Sequence, residues 1–143
     1  MTNKCAQFTY DELSVGQRAE FSVLIAAEMM ADFARLSGDH SPLHTDADFA
    51  ASTPFAHPVA HGMIAGALFS RLVGMELPGK FALYLSQELK FHKPLFAGDE
   101  VVVSGEIIQK VDALRTIEIR TEVHKKSDNT LCVEGKALVR VAK

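Results

Sequence analysis

Apolar positions change their spacing once along the chain, near Leu77-Pro78-Gly79: before it they recur three and four residues apart, and after it they alternate. In Ala26 to Ser37 the residues Met29, Met30, Phe33, Ala34 and Leu36 fall on one side of a 3.6-residue repeat, which predicts a helix. Gly38 is its natural stop, because glycine takes positive φ at little cost. A loop or short turn is expected from Phe8 to Gln17, then a strand from Ala19 to Leu24. A shorter helix should start near Thr45 or Asp46, whose side chains can cap it, and carry Phe49 and Ala50. Pro54 and Pro58 then punctuate a loop. The segment Val59 to Met75, VAHGMIAGALFSRLVGM, is apolar around nearly its whole circumference, which predicts a helix buried on all sides. A membrane span needs about 20 apolar residues, and this run is shorter and holds His61, Ser70 and Arg71, so it reads as a core helix.

The second half predicts four strands. Ala82 to Phe91 alternates weakly, and Val101 to Val111 is rich in β-branched residues. From Thr116 to Val123, Ile117, Ile119, Thr121 and Val123 face one way and Glu118, Arg120 and Glu122 the other. Leu131 to Val141 places Val133, Ala137, Val139 and Val141 on one side. Such one-sided alternation belongs to antiparallel strands with one buried face. Turn residues separate them at Ala97-Gly98-Asp99 and Ser127-Asp128-Asn129. The economical architecture is an α+β, antiparallel β-sheet wrapped around a long buried central α-helix, the hot-dog fold, with residues 1–143 as a single domain.

Composition narrows the partners. The 143 residues are 48% apolar and 23% charged, with a net charge of −3, so no basic surplus points to nucleic acid or an anionic membrane. Cys5 and Cys132 match neither a metal spacing nor a disulfide framework, which fits a reducing cytosol. The opening MTNKCAQFTY lacks the apolar run of a signal peptide, so the expected location is cytoplasmic.

Chemistry concentrates around Ser37-Gly-Asp-His-Ser-Pro-Leu-His44. Pro42 pushes Ser41 away from the α region, so Asp39 and His44 are expected on a constrained, non-helical loop. A carboxylate and an imidazole five residues apart there can converge on one water and divide proton donation and acceptance between them. The plainer reading is that Asp39 caps the loop or the next helix and His44 lies on the surface. Asp39, His40, His44, Asp46, Asp48, His57 and His61 are also candidate metal ligands. However, Pro42 and Pro58 interrupt the helical His40/His44 and His57/His61 spacings, and no Cys lies nearby; the expectation is no metal. At the start of the apolar helix, Gly62 can let a carbonyl oxygen approach its N–H, as in an oxyanion hole, or can serve tight packing alone. Ser70 has neither a G-x-S-x-G context nor a partnering His, so it reads as a cavity-lining or self-capping residue.

Three blocks together carry a resemblance: Phe33-Ala-Arg-Leu-Ser-Gly-Asp-His-Ser-Pro-Leu-His44, His61-Gly62-Met63 with the helix behind it, and Phe91-His-Lys-Pro-Leu-Phe-Ala-Gly-Asp99. They resemble the MaoC-type dehydratases, particularly the small (R)-specific enoyl-CoA hydratases. The resemblance implies a homodimer and reversible hydration of a trans-2-enoyl-CoA to the (R)-3-hydroxyacyl-CoA. It implies that Asp39 and His44 hold the catalytic water, that the Gly62 amide polarises the thioester oxygen, and that Ser70 and Val73 line the acyl pocket. Val73 and Leu138 are expected to set how far that pocket stays open. No cofactor is implied beyond the CoA of the substrate. Ser41 stands where this family usually carries Asn, so Ser41 and Pro42 are expected to shape the loop differently. A hot-dog thioesterase and a non-catalytic acyl-binding domain are the competing readings. The division of acid and base between Asp39 and His44 is open at this level.

Overall fold

A computed structural model describes residues 4–143. Six strands form one antiparallel sheet: β1 (Arg18–Leu24), β2 (Ala82–Gln87), β3 (Lys90–Phe91), β4 (Glu100–Val111), β5 (Thr116–Lys125) and β6 (Leu131–Val141). The order is β1-β4-β5-β6-β2, with the short β3 also paired to β6. Between β1 and β2 run α1 (Ala27–Ser37), α2 (Pro42–Thr45), α3 (Ala47–Ala51) and the central α4 (Ile64–Arg71), which continues as a π-turn over Leu72–Glu76. This is the hot-dog architecture. No helix among the described residues is long and apolar enough to cross a membrane.

The core runs the length of α4. Ile64, Ala65, Leu68, Phe69 and Leu72 pack on Val101, Val103, Val123 and Val133, while Val73 and Leu77 pack on Ile107, Ile117, Ile119, Ala137 and Val139. The alternation of β5 and β6 therefore translates directly into an inner apolar face. Cys132 is buried in this core, and burial pushes its thiol up, so it is not poised as a nucleophile.

Three expectations need correction. The helix was expected from Val59, but Val59 bridges Phe96 and Ala60 N–H donates to Leu95 O at 2.7 Å, so the chain enters in extended form. Nor is α4 covered all round: Met63, Ala67, Ser70 and Arg71 are exposed, and the Arg71 guanidinium lies over the Phe21 ring at 3.9 Å. The expected strand from Ala82 to Phe91 is also split in two, with a register shift between Tyr84 and Ser86 against β6.

Small residues on the sheet make that close packing feasible. Gly105, Thr121 and Gly135 are register partners across β4, β5 and β6. A Cβ on Gly105 would come within 2.8 Å of Leu72, and one on Gly135 within 1.7 Å of the Glu88 carbonyl oxygen. The second obstacle is backbone, which has no rotamer with which to yield. Gly135→Ala is therefore expected to destabilise the fold by about 3 kcal/mol or more, at or beyond the upper end for overpacking, as read by urea unfolding.

Candidate active site

The loop between α1 and α2 is built from its own short side chains. Gly38, at φ 76°, ends α1 with its N–H on Ala34 O, and the Ser37 hydroxyl donates to Phe33 O at 2.7 Å. Asp39 N–H donates to Ser37 Oγ, and Asp39 Oδ1 accepts the Ser41 N–H, both at 3.1 Å. Pro42 then opens α2 at its first position, where a missing N–H costs nothing. Thus His44 stands on a helical turn rather than on the expected irregular loop. Proline disfavours helix for the residue before it, not for itself. Ser41 acts here through its backbone: its carbonyl accepts from His44 N, Thr45 N and Thr45 Oγ1. A serine supplies those groups as well as an asparagine would. Asp46, the expected cap, accepts Phe49 N–H at 3.0 Å and starts α3.

His44 is tied to the chain entering α4. Its Nδ1 lies 2.6 Å from Val59 O, and because a carbonyl only accepts, Nδ1 carries the proton. In the neutral ring Nε2 then carries the lone pair, 4.0 Å from Asp39 Oδ2. His44 is mostly buried, not a surface histidine, whereas the Asp39 side chain is about half exposed. His61, a candidate metal ligand and part of the His61-Gly62-Met63 block but expected to have no role of its own, proves central: its Nε2 lies 3.0 Å from Asp39 O, and its ring stacks on His44 at 4.1 Å. A carbonyl contact of this kind leaves no signature in side-chain spacing.

Gly62 lies in the turn before α4, next to His61. Its N–H has no acceptor among the described residues, and Gly62 lines a cavity of about 360 Å³ together with His44, His61, Phe91 and Lys93. A Cβ here would meet Phe91 at 2.9 Å, so the close ring approach requires glycine. A second cavity, of about 560 Å³, also borders His44 and is lined by Met30, His57 and Phe96.

The predicted acyl-pocket residues are not brought together. Val73 is buried and packs near Val139, Ser70 is exposed on α4, and Leu138 is 36% exposed on the outer face of β6. In a strand of period two, the residue facing Val73 is Val139, one position on.

Among the seven possible metal ligands, Asp39, His44 and His61 gather within 4.8 Å. The two rings, however, stack only 29° from parallel. In-plane lone pairs of stacked rings run side by side instead of converging on one ion, which argues against a metal centre.

Comparison with known proteins identifies the family. A family model described as a MaoC like domain matches residues 12–129. The (R)-specific enoyl-CoA hydratase of Aeromonas caviae is 41% identical over 129 residues, covering 90% of this chain and 96% of that one. The solved structure of the (R)-hydratase from A. caviae involved in PHA biosynthesis superposes with a TM-score of 0.86, at 41% identity, over 90% of this chain and 97% of that one. The unliganded R-hydratase PhaJ1 from Pseudomonas aeruginosa gives 0.91 at 36% identity, covering 97% and 88%. With a family model matching residues 12–129 and a relative 41% identical over 90% of its length, the chain belongs to the MaoC-like dehydratase family.

Proposed function

We propose that this chain is an (R)-specific enoyl-CoA hydratase, a hydro-lyase that reversibly adds water to a trans-2-enoyl-CoA to give the (R)-3-hydroxyacyl-CoA. The observation that carries the reading is the pair of facing acceptors, Asp39 Oδ2 and His44 Nε2, 4.0 Å apart. Neither atom can donate to the other. A water about 2.8 Å from each, an ordinary O–H···acceptor distance, would subtend roughly 90° at its oxygen and donate one proton to each. Its lone pair is then free for the electrophilic carbon.

Chemistry follows from that arrangement. As the water oxygen bonds C3 of the enoyl thioester, the C2=C3 pair moves toward the carbonyl and charge builds on the thioester oxygen. The Gly62 N–H, ahead of α4 and its positive dipole end, stabilises that charge. Because His44 Nε2 and the Asp39 carboxylate are both acceptors, the proton that reaches C2 is one taken from the water. No Lewis acid is needed, since the thioester already polarises the double bond. The R product is supported by the activity named for the A. caviae relative.

The working unit in this reading is a homodimer. Both sheet edges carry unpaired backbone, but β1 presents Arg18, Glu20 and Ser22 outward with a single leucine, Leu24, at its end, whereas β2 presents Leu83 and Leu85 side by side, 55% and 49% exposed. Polar edges resist pairing and apolar ones invite it. A second copy docked along β2 would also cover the open stripe of α4 at Met63, Ala67 and Ser70.

Crotonyl-CoA should lose its enoyl absorbance on addition of the protein. Asp39→Ala and His44→Ala should each lower kcat by about 10³-fold, within the range for positioned proton-transfer groups. Release of free CoA with the double bond intact would instead indicate a thioesterase, and binding without turnover a non-catalytic module. The rate should be unchanged by excess EDTA; loss of activity restored by a divalent ion would refute the metal-free reading. In sedimentation velocity the protein should run at twice its 15.6 kDa chain mass. The double variant Leu83→Lys/Leu85→Lys should run as a monomer; a monomeric parent would contradict the dimer.

A further inference from the structure

We infer that His61 is a positioning residue for the hydration, holding the Asp39 backbone and the His44 ring in one fixed relation. The inference rests on the hydratase reading above. His61 is 3% exposed, and its Nδ1 has no hydrogen-bond partner. Burying an unpaired nitrogen is costly, and a phenylalanine would fill the place against Phe33, whose ring is 4.8 Å away, without that cost. The polar ring has a different use. Its Nε2–H donates to the Asp39 carbonyl at 3.0 Å, which forces the proton onto Nε2 and leaves Nδ1 bare.

The remaining hydrogen bonds of Asp39, its N–H to Ser37 Oγ and its Oδ1 from the Ser41 N–H, lie within the same short loop. His61 is the tie from outside it, from the segment entering α4. The same ring stacks on His44 at 4.1 Å and 29°. Two residues earlier Val59 O selects the His44 tautomer, and one residue later Gly62 offers its N–H. One stretch of four residues therefore sets the base, the carboxylate and the oxyanion donor relative to one another. Without the Nε2–H, Asp39 is free to drift, and the water loses one of its two acceptors.

The test is kinetic dissection with two variants. His61→Phe keeps the ring stack and removes the donor; His61→Gln offers an amide N–H near the Nε2 position. For crotonyl-CoA, His61→Phe should lower kcat about 30- to 100-fold with KM within about twofold, as expected for a misplaced catalytic group that does not grip substrate. His61→Gln should recover kcat to within about tenfold of the parent. Equal losses in the two variants, or a kcat in His61→Phe within about threefold of the parent, would overturn the inference. If His61→Phe does not fold, His61→Gln decides alone, and a loss as deep as that of Asp39→Ala overturns it. Independently of turnover, amide exchange at Asp39 to Thr45 should speed up in His61→Phe by at least about tenfold, and unchanged exchange would count against the inference. A parent without hydratase activity would sink the hydratase reading instead, leaving the exchange result to judge the positioning role.

Discussion

The hydrogen bond from His44 Nδ1–H to the Val59 carbonyl, at 2.6 Å, is the contact on which the site depends. It selects the tautomer, so that Nε2 faces Asp39 as a lone pair. It also joins two segments that have no covalent reason to meet: the single turn opened by Pro42 and the extended stretch leading into α4. Val59 is held in turn by its own N–H on Leu43 O, and Ala60 by Leu95 O. The histidine is therefore fastened to a frame that reaches the sheet, and its reactive nitrogen is placed by backbone rather than by flexible side chains. Backbone carbonyls suit this use, because they accept and never donate.

The sheet and helix serve that frame. The antiparallel sheet holds the central helical segment closely where side chains give way: Gly105 makes room for Leu72 at the end of α4, while its neighbour in the same row, Gly135, admits the Glu88 carbonyl between β2 and β3. Close seating of α4 fixes where its N-terminal turn stands, and so where the Gly62 N–H points. In this way packing in the middle of the molecule sets the distance between the proposed oxyanion donor, Gly62, and the proposed proton-transfer pair, Asp39 and His44. The same seating leaves one stripe of α4 and the β2 edge open, which is where the proposed second copy would complete the structure.

Much of this was legible in the chain. The alternation in Leu131 to Val141 and Thr116 to Val123 reports one-sided burial directly, and β6 begins and ends where the pattern does. Gly38 as helix stop and Asp46 as cap follow from local chemistry, which needs no tertiary context. The central helix was harder. An apolar circumference reads the same whether its last face is covered by its own chain or left open, and the entry at Val59 was settled by a bridge to Phe96, far along the chain. Leu138 shows the sensitivity of strands: one position decides between core and surface. Residue type and spacing left the Asp39 and His44 pair open against a plain cap and a surface histidine; the resemblance singled it out, and the fold brings the two side chains to 4.0 Å. No role of His61 was legible, because it runs through a main-chain carbonyl and a ring face.

The central claim is that Asp39 and His44 share one water as two acceptors. A crystal structure of the unliganded protein at a resolution that orders solvent tests this most directly. It should show a single water within about 3 Å of both Asp39 Oδ2 and His44 Nε2, with Nδ1 still on Val59 O. A direct Asp39–His44 hydrogen bond, or a water held by only one of them, would contradict the account.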